Sequence, residues 1–188
     1  MSVSDDKKYL RKILKQKRSQ IDSKIKALND KKILNTILNL DEIKKADIIL
    51  TYVSTASEID TQELIEFFLK NKKVVAAAKC EDEFGNMSFY KISSLLELKK
   101  SVFGIFEPEF NEKNKVLKFE NSVCIVPALS FDIKRQRIGY GKGYYDRFLE
   151  NYTGVKIGLC YDEMIEEKIP CDKYDIAVDM VVTQSKII

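Results

Sequence analysis

The chain has 188 residues, with 32 basic and 29 acidic side chains and a net charge of +3. Apolar residues make up 45% and charged residues 32%, which excludes a disordered or collagen-like chain and leaves enough material for a buried core. Histidine is absent, so no imidazole base, Ser-His-Asp triad or His-ligated metal is available.

Residues 5 to 40 contain neither Gly nor Pro, and Leu10, Ile13, Leu14 and Ile21 recur at helical spacing. A stop near Ile21-Asp22-Ser23 divides the segment into two helices, the second carrying Ile25, Leu28, Ile33, Leu34, Ile37 and Leu38. Ala46 to Val53 is a short apolar run that fits a buried strand. Asp60, with Glu63 three residues on, has the pattern of a capping box opening a helix over 61–70. Lys73 to Ala78 reads as the next strand and Met87 to Tyr90 as another. A helical stretch near 94–99 leads to a loop at 103–108, and the Asn- and Lys-rich residues 111–118 form a solvated loop. Val123 to Pro127, Val155 to Cys160 and Ala177 to Val182 are further strands, with a helix from Tyr144 to Asn151 between the first two.

Strands alternating with helices predict an α/β domain: a mainly parallel sheet flanked by helices, Rossmann-like and three-layered, in one domain over 1–188 with an N-terminal helical pair. Ligands of such sheets lie beyond the carboxyl ends of the strands. Four cysteines without close spacing give no zinc or redox motif, and Cys124 and Cys160 sit in apolar runs as buried thiols. No apolar stretch approaches the roughly 18 residues of a membrane span, and no secretory or transit pattern opens the chain. A reduced, cytoplasmic setting follows as the expectation.

Three segments can carry chemistry. The most informative is Arg137-Ile138-Gly139-Tyr140-Gly141-Lys142-Gly143-Tyr144-Tyr145-Asp146-Arg147, which holds three of the seven glycines at alternate positions. Glycines let successive amides point at one anion, and Arg137 and Lys142 add full charges. The segment is neither a P-loop nor a Rossmann fingerprint, and by spacing alone a plain turn entering a helix explains it equally well. Asp146 in the first helical turn suits either the helix dipole or a Mg²⁺ ion, with Asp179 in the last strand as the second acid.

The second segment is the first helix, where Lys7, Arg11, Lys15 and Arg18 fall within about 80° of one another. That row is either a solvated basic face or a grip on something anionic. The third is the loop after the first strand, where Asp60 and Thr61 serve as caps and Glu58 has no local task.

Together these residues resemble the 5-formyltetrahydrofolate cyclo-ligase (5,10-methenyltetrahydrofolate synthetase) family. The matching pieces are Lys7 to Arg11 with Arg18, Glu58-Ile59-Asp60-Thr61, Phe103-Gly104-Ile105 with Glu107-Pro108, Val126 to Asp132, Arg137 to Arg147, and Asp179 to Thr183. They run in family order over nearly the whole chain.

The resemblance implies that 5-formyltetrahydrofolate, with or without a polyglutamate tail, and ATP give 5,10-methenyltetrahydrofolate, ADP and phosphate with Mg²⁺. By carry-over, Lys7, Lys8 and Arg11 touch ATP. So do Arg137, Ile138, Gly139, Tyr140, Gly141, Lys142, Gly143, Tyr144 and Tyr145, with Arg137 and Lys142 stabilising the transferred phosphoryl group. Val53, Glu58, Tyr140 and Tyr144 line the folate site, and Asp146 and Asp179 hold Mg²⁺. A monomer is expected, with no nucleic acid or membrane partner. The chain departs from the family pattern at Ala77-Ala78, at Arg135 where glycine is usual, and at Met164 and Tyr174, which stand at a late glutamine and a late histidine position. Two rivals remain open on the residues alone: a sugar-phosphate isomerase using Glu58 or Asp146 as base, and a noncatalytic nucleotide- or RNA-binding regulator using the basic helix.

Overall fold

The computed structural model describes residues 2–101 and 104–188. Helix α1 (Val3–Ser19) starts with a capping box in which Ser2 and Asp5 satisfy each other's amides. Helix α2 (Ser23–Asn39) begins where the sequence stops the first helix, with Asp22 accepting the N–H groups of Lys24 and Ile25. A short α3 (Asp41–Lys45), not anticipated, leads into β1 (Ile48–Thr51).

Helix α4 (Gln62–Lys70) differs from expectation at its start. Asp60 accepts the Gln62 N–H at 2.8 Å, but Glu63 is exposed and makes no return bond among the described residues. Thr61 stands at the boundary instead, its hydroxyl turned inward to bond the Tyr52 carbonyl and the Ser54 N–H.

Strands β2 (Val74–Cys80) and β3 (Met87–Ile92) form a hairpin. The helical stretch expected near 94–99 is a single 3-10 turn (Leu95–Glu97) followed by β4 (Leu98–Lys100). β4 pairs with β5 (Phe106–Pro108), where a loop was expected; Phe103 of that loop lies outside the described residues. Then come β6 (Ser122–Val126) and a small antiparallel hairpin of β7 (Ser130–Phe131) and β8 (Arg137–Ile138). Helix α5 (Tyr144–Glu150), β9 (Val155–Leu159) and β10 (Met180–Val182) complete the chain.

The main sheet has six strands in the order β10-β9-β6-β1-β2-β3, all parallel except β3 against β2. β1 and β6 are buried at every residue, as central parallel strands covered on both faces must be. Phe89 of β3 packs at a tilt against Phe148 of α5, with ring centroids 4.8 Å apart, while Leu14 of α1 and Ile33 and Ile37 of α2 join the same core.

The chain leaves β1 toward β2 on one side and later returns to β6 on the other. The strand order therefore reverses between β1 and β6, and a crevice opens beyond their carboxyl ends. Among the described residues, no helix is long and apolar enough to cross a membrane.

Candidate active site

A cavity of about 930 Å³ lies at that crevice, at the upper end of the range for ligand pockets. Four groups of residues wall it: the loop after β1, with Val53 and Glu58; the ends of β2 and β5, with Cys80 and Glu107; the glycine loop with Lys7 and Arg11 of α1; and the segment before β10, with Asp172, Tyr174 and Asp175.

The glycine loop is held in place by tertiary contacts. Asp132 staples the β7–β8 turn, accepting the N–H groups of Lys134 and Gln136 on one oxygen and of Ile169 on the other. That hairpin carries Arg137, which is 6% exposed and pairs with Asp146 at 2.5 Å. Arg137 Nε is buried on the cavity wall without a partner among the described residues, and so is the nearby Tyr145 hydroxyl. Gly141 and Gly143 adopt φ of +100° and +74°, conformations that side chains rarely accept. Arg11 lies directly under the loop and donates to the Gly139 carbonyl at 2.9 Å. Lys142 is exposed at the cavity rim and forms no ion pair among the described residues.

Lys7 is buried and held between Asp172 and Asp175. Tyr144 donates to the Asp82 carbonyl at 2.5 Å, which seats the β2–β3 turn on α5. Glu58 is 8% exposed and accepts both the N–H and the hydroxyl of Thr55. Burial, reinforced by Glu58, pushes the Tyr140 phenol up to about 12. Arg18 contacts that phenol at 3.3 Å and anchors α1 to the carbonyls of Ala128 and Leu129.

Two expected site residues are not brought here. Lys8 is exposed and does not line the cavity. Asp179 precedes β10, at the opposite end of the sheet from the crevice, and is bonded to the amide and ammonium of Lys156. The sequence places an acid beside an apolar run but does not say which end of the strand it marks. Other expected residues, including Ile138, Gly139, Tyr140 and Asp146, all line the cavity. The sequence reading assigned no role to Asp172, Asp175, Cys80 or Glu107, although Glu107 stood in a matched segment.

Comparison with known proteins decides the family. The model of the 5-formyltetrahydrofolate cyclo-ligase family matches residues 3–184.

The chain belongs to the 5-formyltetrahydrofolate cyclo-ligase family.

The cyclo-ligase of Escherichia coli K12 is 32% identical over 146 residues, covering 76% of this chain and 80% of that protein. A probable cyclo-ligase of Schizosaccharomyces pombe is 30% identical, covering 99% and 98%. The 5,10-methenyltetrahydrofolate synthetase structure from Aquifex aeolicus superimposes with a TM-score of 0.85 at 32% identity, over 96% of this chain and 91% of that one. Membership in this enzyme family sets aside the isomerase and the noncatalytic regulator.

Against the cyclo-ligase pattern, the departures fall in different places. Arg135 takes φ of +64°, the left-handed region where glycine is at ease. Met164 is fully buried in the core and away from the cavity. Tyr174 lines the cavity but is 70% exposed at its rim.

Proposed function

We propose that the chain closes the ring of 5-formyltetrahydrofolate at the expense of ATP, giving 5,10-methenyltetrahydrofolate, ADP and phosphate. One observation carries this reading: a single cavity joins a cationic wall, with Lys7, Arg11, Arg137 and Lys142, to a wall built from Val53, Glu58 and Tyr140. Two substrates, one polyanionic and one a polar heterocycle on an apolar frame, then meet in one space.

The formyl oxygen on N5 attacks the γ-phosphorus, and the bond to the ADP oxygen breaks. The formyl carbon becomes an iminium-like centre carrying a phosphate leaving group. N10 attacks that carbon and loses its proton, and expulsion of phosphate leaves the methenyl bridge. Every nucleophile belongs to a substrate, which suits a chain without histidine. The protein contributes proximity and charge stabilisation. Arg137, already fixed by Asp146, and the exposed Lys142 stabilise the transferred phosphoryl group, while Gly139 and Gly141 let the backbone approach it closely. Lys7 and Arg11 hold the rest of the triphosphate.

The donor set fits Mg²⁺ arriving on the nucleotide. Such an ion takes one or two carboxylates with phosphate oxygens and waters, and Asp146 is the carboxylate at the foot of the glycine loop. Asp179 is withdrawn from this role. Held there, the ion would supply charge neutralisation to the nucleotide phosphates.

Purified protein mixed with 5-formyltetrahydrofolate and MgATP is expected to develop the near-ultraviolet absorbance of the methenyl product. No rise with ATP present, or an equal rise without it, overturns the reading.

A further inference from the structure

Glu107 is a buried carboxylate in the cavity wall whose hydrogen-bonding capacity is only partly used. It is 4% exposed and sits on β5, beyond the carboxyl end of β2. Its Oε1 accepts the N–H of Cys80 at 3.1 Å. Its Oε2 forms a long ion pair with Lys79 Nζ at 4.0 Å, which leaves that oxygen without a hydrogen bond from the ammonium. The Cys80 thiol, pushed up to about 12 by burial and by this carboxylate, adds one weak neutral donor. An ionised carboxylate offers about four acceptor sites, and burying them unfilled is unfavourable.

The other acids on the wall are better satisfied, apart from Glu150, which is exposed to water. Asp146 pairs with Arg137, and Asp172 and Asp175 pair with Lys7. Glu58 takes two donors from Thr55 on one oxygen. Glu107 also has different surroundings. Met87 is the register partner of Cys80, Ala78 lies two residues before it on β2, and Ile105 and Phe106 precede Glu107; all four line the cavity. An apolar slot closed by an under-filled carboxylate suits a flat heterocycle with two adjacent N–H donors on one edge.

We propose that Glu107 anchors the amino-pyrimidinone edge of the reduced pterin, its two oxygens accepting from the ring N3–H and the 2-amino group, an assignment that rests on the proposed folate chemistry. Adenine does not match this edge, because its N1 acceptor would face a carboxylate oxygen. Guanine does match it, so the nucleotide base is the alternative source of the same donors.

The test is calorimetric titration of wild type and Glu107→Gln, which keeps the shape and places an amide N–H against a ligand N–H. The titrants are 5-formyltetrahydrofolate, MgATP and MgGTP, each added separately. The Kd for 5-formyltetrahydrofolate is expected to rise about 10- to 100-fold in the variant, as for loss of a charge-assisted hydrogen bond, with MgATP within about twofold. A second measurement needs no variant. The 2-desamino-2-methyl analogue of 5-formyltetrahydrofolate should bind wild type about 10- to 100-fold more weakly than the parent. That analogue measurement decides alone if Glu107→Gln fails to fold. Equal affinity of both proteins for 5-formyltetrahydrofolate, or no penalty for the analogue, overturns the anchor while leaving the cyclisation reading intact. Selective loss of nucleotide binding assigns the carboxylate to the base instead and also overturns it. Wild type that binds no 5-formyltetrahydrofolate at all removes the folate chemistry itself.

Discussion

Lys7, in the first turns of α1, meets Asp175 at 2.5 Å across 168 positions of sequence. Asp172 reaches the same ammonium at 2.9 Å. Burial disfavours the charge on Lys7, but the bonds from Asp175 and Asp172 outweigh it and hold the ammonium pKa above 10.5. The bond from Lys7 in turn holds the Asp172 carboxyl below 3.8. The clamp ties a cavity-lining cation of α1 to the 172–176 segment, which lines the same cavity.

The pH dependence of that clamp follows from linkage. A raised lysine stabilises fully below its unfolded pKa near 10.5 and loses the effect as pH climbs through the folded value. A lowered aspartate stabilises above 3.8 and loses the effect as pH falls through the folded value. The stability difference between wild type and Lys7→Met should therefore be flat from about pH 5 to 9 and shrink in stronger acid. Urea denaturation across that range measures it. A steep change between about pH 6 and 8 contradicts the two-carboxylate clamp.

Lys142 and Arg137 should separate in their effects. Lys142 is exposed and unpaired among the described residues, so Lys142→Ala should lower kcat by about 10²–10³ with stability within about 0.5 kcal/mol. Arg137 is buried against Asp146, and Arg137→Ala should abolish turnover and also destabilise by about 3 kcal/mol. Turnover and thermal denaturation on the same preparations test both. Unchanged kcat in Lys142→Ala rejects its role.

Thiol reactivity should follow burial. Cys124 and Cys160 are buried; burial pushes both thiols up, that of Cys160 to about 12. Burial and Glu107 push Cys80 to about 12. Cys171 is the exposed thiol. At about pH 8, iodoacetamide should alkylate native protein at Cys171 alone and all four cysteines after denaturation. Peptide mass mapping reads the sites, and rapid labelling of Cys80 contradicts its neutral, carboxylate-bonded state.

The central strands β1 and β6 were legible because each is a short apolar run, and burial on both faces leaves no polar alternation to obscure it. The glycine loop was legible for the opposite reason, an excess of glycine beside charge. The β7–β8 hairpin was not, since two residues per strand carry no period and its turn is set by the Asp132 carboxylate. Nor were the partners of Lys7, because contacts between the chain's two ends leave no local trace. Asp179 was misplaced because a lone acid beside a hydrophobic run does not reveal which end of the sheet it occupies.

Arg135 should be improved by glycine. Its φ of +64° is unfavourable for a side chain, and its Nη1 bond to the Asp179 carbonyl lies at an exposed position. Relief of about 1 kcal/mol of backbone strain should exceed the loss of that contact, and Arg135→Gly should raise Tm by a few degrees. Calorimetry decides; a lower Tm means that the contact outweighs the strain.

Gly158 is required by a different constraint, close approach. It lies inside β9, opposite Val126 and Val181, and a Cβ there would sit 2.4 Å from the tip of the Phe131 ring. Phe131 is fully buried, so the ring cannot swing aside, and Gly158→Ala should destabilise by about 1–3 kcal/mol. Phe131 is also the register partner of Arg137 in the β7–β8 hairpin. Displacing the ring shifts the guanidinium, so kcat should fall even where the protein remains folded. Phe131→Leu removes the atoms that collide, and the double variant should be more stable than Gly158→Ala alone. Urea denaturation of the four proteins in that cycle gives the coupling, expected to exceed about 0.5 kcal/mol because the two sites touch. Additive costs would show that the ring and the strand do not press on each other, and that Arg137 is positioned by the Asp132 staple without help from the core beneath it.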